Sequence, residues 1–277
     1  MKFGDFELHP LCDGFFGLDG GAMFGVVPKP LWERTNPPDE RNRIRLALRP
    51  LLIVAGERRI LVDTGIGDKW DSKGIDIYRV EKTDTTEASL SRLGLAPGDI
   101  THVVLTHLHF DHAGGATRLK SGEVVPSFPN ARYVVQRAEW EDALNPNRRS
   151  RAAYLSENFL PLERAGQLEI VDGTVELVPG IELLHTGGHT RGLQLVRIRS
   201  AGSTAVFWSD MVPTRTHVSV PYIMGYDLFP LVTMETKERL LAQACAERWL
   251  CFLEHDPEVT AGYFGCEEGR YYFADRI

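Results

Sequence analysis

Cysteine is scarce in this chain, and what there is shows no arrangement for cross-linking. Only Cys12, Cys245, Cys251 and Cys266 occur, without paired ligand spacing, which argues against both a disulfide scaffold and a cysteine-built zinc ribbon. Cys245 and Cys251 fall in a stretch read as helix over 235–252 and are expected as buried thiols. The first residues, Met-Lys-Phe-Gly-Asp-Phe-Glu, contain no apolar stretch of signal-peptide length. No run anywhere approaches the ~18 apolar residues of a membrane span. A cytoplasmic protein without disulfides and without a membrane partner is the expectation. Basic excess is missing as well: a net charge of −7 leaves no cationic footprint for nucleic acid. Gly-Ser linkers, repeats and low-complexity tracts are absent, so one domain over 1–277 is expected. Phosphate-cradling glycines are absent too. No Gly-Lys-Ser/Thr follows the glycines at 20–25, and Gly65-Ile66-Gly67 lacks the rest of a dinucleotide fingerprint.

What the chain does have is histidine in one place. Residues 106–112 read Thr-His-Leu-His-Phe-Asp-His, directly after the apolar run Val103, Val104, Leu105. Imidazoles and a carboxylate are costly to bury without partners, and a metal ion supplies one. Nitrogen and carboxylate ligands suit zinc, iron or manganese better than calcium. His107 and His109 can project the same way, while a turn at Phe110 lets Asp111 and His112 reach a neighbouring position. Four ligands from one turn exceed what one open catalytic ion takes, which points to two ions. Three more apolar runs end in the same way, at His189 after two glycines, at Asp210, and at His255 before Pro257. In α/β sheets chemistry collects beyond the carboxyl ends of strands, so these runs read as one convergent site.

These segments resemble the metallo-β-lactamase-fold hydrolases. Residues 106–115 match that superfamily's signature, residues 188–192 (Gly-His-Thr-Arg-Gly) its second motif, and residues 61–65 (Leu-Val-Asp-Thr-Gly) its early strand-and-turn motif. The resemblance runs from about residue 44 to 258. It implies an α+β fold, a four-layer αββα sandwich, where pattern alone gives only mixed α and β. It also implies a ligand set. One ion would take His107, His109 and His189, the other Asp111, His112 and His255, and Asp210 would bridge them. Two divalent transition-metal ions are expected, zinc foremost, with iron, manganese or cobalt as alternatives. Asp63 would be a supporting carboxylate or a turn former, His185 a supporting or packing histidine, and His102 has no role. The activity implied is hydrolysis by a hydroxide held between ~3.5–4 Å-spaced ions, which bring the proton affinity of water near neutrality. Asp111 would also hand a proton to the leaving oxygen.

Within that superfamily the closest likeness is to the lactonase and organophosphate-hydrolase branch, including enzymes that open N-acyl homoserine lactones. The substrate expected is a small lactone or ester. Phosphotriester, aryl-ester and glyoxalase II-like thioester hydrolysis are the alternatives. A di-iron redox member would have glutamate at the His109 position and a flavin domain for which this chain is too short. A non-catalytic member would have lost ligands, and none is lost here. Residues 18–28, glycine-rich and apolar, read as a wall or lid over the metals, with Met23 and Phe24 as substrate contacts. Trp32, Trp70 and Tyr78 can add apolar lining. There is one departure: the lactonases carry a tyrosine three residues after the bridging aspartate, and here Pro213 stands there. His217 or Tyr222, in the segment that follows, is the expected substitute donor. A homodimer is left open.

The pattern also gives strands near 3–9, 44–55, 59–63, 101–105, 131–135, 175–178, 181–185, 193–199 and 203–209. Helices are read at 85–93, capped by Thr85 or Thr86 ahead of Glu87, and at 137–144, 150–165 and 235–252.

Overall fold

The computed structural model describes residues 1–276. In chain order the first strands are β1 (Lys2–Phe3), β2 (Phe6–Pro10), β3 (Phe15–Asp19), β4 (Arg43–Ala47), β5 (Leu51–Ala55), β6 (Arg58–Val62) and β7 (His102–Val104). Then come β8 (Thr117–Lys120), β9 (Glu123–Pro126), β10 (Arg132–Gln136), β11 (Leu168–Val171), β12 (Val175–Val178) and β13 (Ile181–His185). The last are β14 (Gln194–Ser200), β15 (Ser203–Phe207), β16 (Leu250–Phe252), β17 (Ala261–Glu267) and β18 (Arg270–Arg276). Two seven-stranded sheets result, ordered β1-β2-β5-β6-β7-β10-β11 and β12 through β18 in sequence, with small hairpins β3-β4 and β8-β9.

Strand alternation decides the layering, because successive side chains leave opposite faces. In the first sheet Leu51, Ile53, Ile60, Val62, Val104 and Val134 point to a core shared with Leu183, Val196, Ile198, Phe207, Leu250 and Phe252 of the second. Their sequence neighbours Leu52, Leu61, Val103, Tyr133 and Val135 face the other way. That outer face is covered by helices α4 (Thr86–Arg92), α6 (Arg137–Leu144) and α7 (Leu160–Arg164) through Leu90, Trp140 and Leu162. On the far side Leu195, Val206 and Cys251 meet Leu240, Leu241 and Ala244 of α8 (Pro230–Ala246). The arrangement is helix, sheet, sheet, helix, the αββα sandwich expected. The remaining helices are short: α1 (Gly20–Phe24), α2 (Lys29–Trp32), α3 (Ser72–Tyr78) and α5 (Phe110–Ala113).

Helix α4 is capped by Thr85, whose hydroxyl accepts from the Ala88 amide at 3.1 Å, and α6 occupies the range read from the sequence. Three expected elements differ. The strand over 44–55 is two strands, because Pro50 has no N–H for a ladder and sits between β4 and β5. The helix over 150–165 is mostly turns, and Pro161 lies in the first turn of α7, just after Leu160, rather than inside a longer helix. The helix over 235–252 starts earlier, at Pro230, and stops at Ala246. Arg248 takes φ 53°, and Leu250–Phe252 become β16, buried on both faces between β15 and β17. Cys251 is therefore a buried strand thiol, not a helical one. No helix among the described residues is long and apolar enough to cross a membrane.

Candidate metal centre

The strands that stop at one edge of the sandwich deliver the histidines and aspartates. His107 and His109 follow β7, Asp111 and His112 lie on the single turn α5, and His189 lies between β13 and β14. Asp210 sits in a short 3-10 turn after β15, and His255 follows β16. The backbone is built to hold these turns close. A side chain on Gly114 would place its Cβ 2.2 Å from the Ile66 carbonyl, and one on Gly192 would place it 2.3 Å from the Glu139 amide. Both glycines are where chain crosses chain with no room for a methyl group. Ser209, just before Asp210, is held at φ 44°, an uncommon conformation for a non-glycine residue.

All of the expected ligands come together, and every one is buried. His107, His109, His189 and Asp210 form one group with ligand atoms within 4.8 Å of one another, and Asp111, His112 and His255 form a second. Asp210 lies between them. Its Oδ2 is 3.7 Å from His107 Nε2, 3.1 Å from His189 Nε2 and 3.5 Å from His112 Nε2, while its Oδ1 is 3.2 Å from His255 Nε2. Asp111 Oδ2 is 3.6 Å from His112 Nε2 and 3.7 Å from His255 Nε2.

The outer partners fix which nitrogen faces inward. His255 Nδ1 donates to the Ala47 carbonyl at 2.8 Å, so in the neutral ring its Nε2 is a bare lone pair. His112 Nδ1 donates to Asp63 Oδ2 at 3.0 Å, leaving its Nε2 bare, 3.2 Å from that of His255. His189 Nδ1 donates to Asp227 Oδ1 at 2.8 Å, and its Nε2 faces His109 Nδ1 at 3.1 Å. Lone pairs at these distances, with a carboxylate between them, repel unless cations or protons sit there. Among the described residues, the buried His107 Nε2 and Asp210 Oδ1 are met by no hydrogen bond of good geometry. Divalent cations fit this donor set, being the species that imidazole lone pairs and an unpaired carboxylate oxygen can all face at once.

Protonation in the metal-free chain carries the same conflict. Burial, with His112 and His189 beside them, holds His107 and His109 well below the ordinary imidazole range. Burial also opposes charge on His255, but Asp210 and Glu254 outweigh it and lift the ring to about 9. The imidazoles around Asp210 offset its burial and hold it well below the carboxylate range.

Carboxylates one layer out position this cluster. Asp63, at φ 56°, accepts from the Thr106 amide and hydroxyl, both at 2.7 Å, as well as from His112. It acts as the supporting carboxylate and shapes the turn as well. Glu254 lies 3.0 Å from His112 Nδ1 on its other side, and burial, with Asp63 nearby, pushes it up to about 8. Glu139 is fully buried and accepts from the Leu108 amide, Tyr154 and Thr190, tying the two ligand loops together. His185 caps its own loop through the Arg191 carbonyl at 2.9 Å, and His102 pairs with Thr101. Sequence reasoning missed Asp227, Glu139 and Glu254. Each is distant in sequence from the group it holds, and the adjacency of Glu254 to His255 is the only signal the chain offers.

Above the ligands opens a cleft of about 170 Å³, lined by Leu18, Met23, Leu46, Phe110, Met224 and Leu228, with Tyr78, Arg149, Ser150 and Tyr226 as its polar members. Met23 is where the sequence placed it. Phe24 is not. It is fully buried, stacked between Trp32 (ring centroids 5.2 Å apart) and His217 (4.5 Å). His217 is likewise withdrawn from the cleft. Its Nε2 donates to the Met23 carbonyl at 2.9 Å and its Nδ1 accepts from the Thr214 hydroxyl at 2.7 Å, so neither ring nitrogen is free for a substrate. Tyr222 packs edge-on against Phe24 and does not line the cleft. Burial of this aromatic stack outweighs the adjacency to Asp210 that suggested a donor. Trp70 packs behind Tyr78 and Phe110, and Trp32 lies behind Phe24.

This fold and this site define a metal-dependent hydrolase, and residues 50–255 match the metallo-beta-lactamase superfamily, to which the chain belongs. An N-acyl homoserine lactonase of Bacillus cereus is 30% identical over 234 residues, covering 80% of this chain and 86% of that protein. The N-acyl homoserine lactonase AttM of Rhizobium radiobacter is 26% identical over 222 residues, 76% of this chain and 79% of that protein. Among solved structures, a probable metal-dependent hydrolase from Staphylococcus aureus matches with TM-score 0.91 at 34% identity, covering 100% of both chains. AidC, a dizinc quorum-quenching lactonase, matches with TM-score 0.83 at 20% identity over 100% of this chain and 96% of its own, a likeness of fold alone.

Proposed function

We propose that this chain opens a lactone bearing an apolar acyl group, using two divalent transition-metal ions, zinc foremost. The observation that carries the reading is the ligand cluster itself, exposed as the floor of an apolar cleft with Asp210 between its two halves. The lactonase relatives, which span most of this chain, support the substrate class. His107, His109 and His189 would hold one ion, Asp111, His112 and His255 the other, and Asp210 both.

Bound there, the ions supply Lewis-acid polarisation of the acyl oxygen and a water that loses its proton near neutral pH. The chain's own residues do the rest. Leu18, Met23, Met224 and Leu228 take the apolar group and exclude water. The cleft, about 170 Å³, has room for a lactone ring with its chain directed outward. Asp111, on the cleft floor, holds the proton that the departing oxygen needs. Asp63 and Asp227 keep the imidazoles of His112 and His189 turned inward and Glu139 ties the loops that carry the ligands, so the site is organised before substrate arrives.

The test is a substrate panel on metal-loaded protein with elemental analysis alongside. Two metal equivalents and lactone turnover ahead of phosphotriesters, thioesters and β-lactams are expected. Saturation at one equivalent, or β-lactam turnover with none on lactones, would overturn the proposal.

A further inference from the structure

We propose that the Tyr226 hydroxyl is the hydrogen-bond donor that the chain itself brings to the reacting acyl oxygen. The inference rests on the hydrolytic reading above and adds a residue to it. The segment around Tyr226 is fastened on every side. The Gly225 amide donates to the Ala22 carbonyl at 2.7 Å, and the Leu228 and Phe229 amides donate to the carbonyls of His189 and Gly188 at 3.0 and 2.9 Å. Asp227 accepts from the Met224 amide at 3.2 Å and from His189 Nδ1 at 2.8 Å. Arg149 reaches across the cleft mouth to the Gly225 and Asp227 carbonyls, one on each side of Tyr226. Lys237, fully buried, holds the Tyr222 carbonyl at 2.8 Å.

Tyr226 itself is the member left free. It is 37% exposed, lines the cleft with Asp111, His189, Asp210 and His255, and its hydroxyl makes no hydrogen bond among the described residues. The backbone on both sides of Tyr226 is held, on one side to His189 itself, while the polar tip of its side chain is unspent. A free hydroxyl on a held backbone at the cleft wall is the kind of donor that developing negative charge requires. Tyr78 also lines the cleft with an unspent hydroxyl, its ring wedged between Trp70 and Phe110 at 5.2 and 4.7 Å, but only the Tyr226 segment is hydrogen-bonded to a cluster histidine, through the Leu228 amide and Asp227 to His189.

In the reaction, water adds its oxygen to the acyl carbon, the ring C–O bond breaks, and the water proton ends on the departing oxygen. Tyr226 keeps its own proton and bonds to the acyl oxygen while that atom carries charge. The experiment compares wild type with Tyr226→Phe as metal-loaded proteins, with metal content and Tm measured on both. The expected result is a fall in kcat of roughly 10²-fold with KM within about threefold. Calorimetric titration with hexanoate, whose carboxylate mimics the charged oxygen, is expected to show about tenfold weaker binding to the variant. Wild-type kcat in the variant overturns the inference, as does a rise in KM in place of the fall in kcat, or the same loss appearing in Tyr78→Phe instead. If the wild type hydrolyses no ester or lactone, the functional reading fails, and the titration still decides: equal hexanoate affinity in both proteins overturns the donor.

Discussion

His255 and His217 are both buried imidazoles, and they do opposite things. His255 spends one nitrogen on the Ala47 carbonyl and leaves the other bare, facing His112 and Asp210. His217 spends both, on Met23 and Thr214, and lies flat on Phe24. Surrounding carboxylates overcome burial and lift His255 to about 9, whereas burial holds His217 at about 3. Depth alone therefore does not mark a ligand. What marks one is a nitrogen whose only neighbours are other lone pairs and carboxylates.

The harshest way to break this contrast is Asp210→Ala. The variant removes the carboxylate between the two histidine groups. Both metal equivalents should fall on elemental analysis, and kcat/KM should drop by about 10³-fold or more, because charge stabilisation by the ions is worth several kcal/mol. Retention of two equivalents would show that the histidine groups stand without it.

Phe24→Ala attacks the other member of the pair. The ring is stacked between Trp32 and His217, and its loss leaves a cavity. A destabilisation of about 3–5 kcal/mol in denaturant unfolding is expected, with metal stoichiometry kept. Loss of metal at full stability would mean that the stack belongs to the site after all.

The sequence showed the ligands and hid what aims them, for a physical reason. His107 through His112 sit on one turn, so their chemistry is local and their spacing visible. Asp227 is 38 residues from His189, and Glu139 is 51 from Thr190; Asp63, 43 from the Thr106 it holds, was legible only through the family resemblance. Such pairings exist only once the sheets are stacked. Strand alternation was legible where one face meets helices and the other a sheet, as in Leu51–Ala55. The hairpin β17-β18 was missed, although Glu268 and Gly269, at φ 50° and 76°, are a turn signal between two aromatic strands. The 214–222 segment misled because chain distance from Asp210 says nothing about which way a loop folds. It folds under the cleft, and residue 226 comes over it.

Asp227→Asn sharpens the comparison from the outside. The amide keeps the size of the group but weakens the acceptor that turns His189. Metal affinity should fall by about 10–100-fold in chelator competition. An unchanged competition curve would mean that the ligand rings hold their direction without a carboxylate.

The smallest effect is expected at His217, and it separates the two histidines most cleanly. Glutamine can still donate to the Met23 carbonyl but takes up no proton, so His217→Gln should turn over within about threefold of wild type. Its signature lies in stability against pH. The native ring protonates near 3, whereas the unfolded ring does so near its ordinary 6.5. As pH falls from 6.5 toward 3, the unfolded chain gains a proton that the native chain refuses, and the wild type loses stability through that window. Above 6.5 the group contributes no pH dependence. The glutamine variant lacks this term, so wild-type stability relative to the variant should be lower at pH 4.5 than at pH 7, by about 2–3 kcal/mol. Parallel stability curves together with a large loss of kcat would return His217 to the reaction and end the distinction drawn between the two rings.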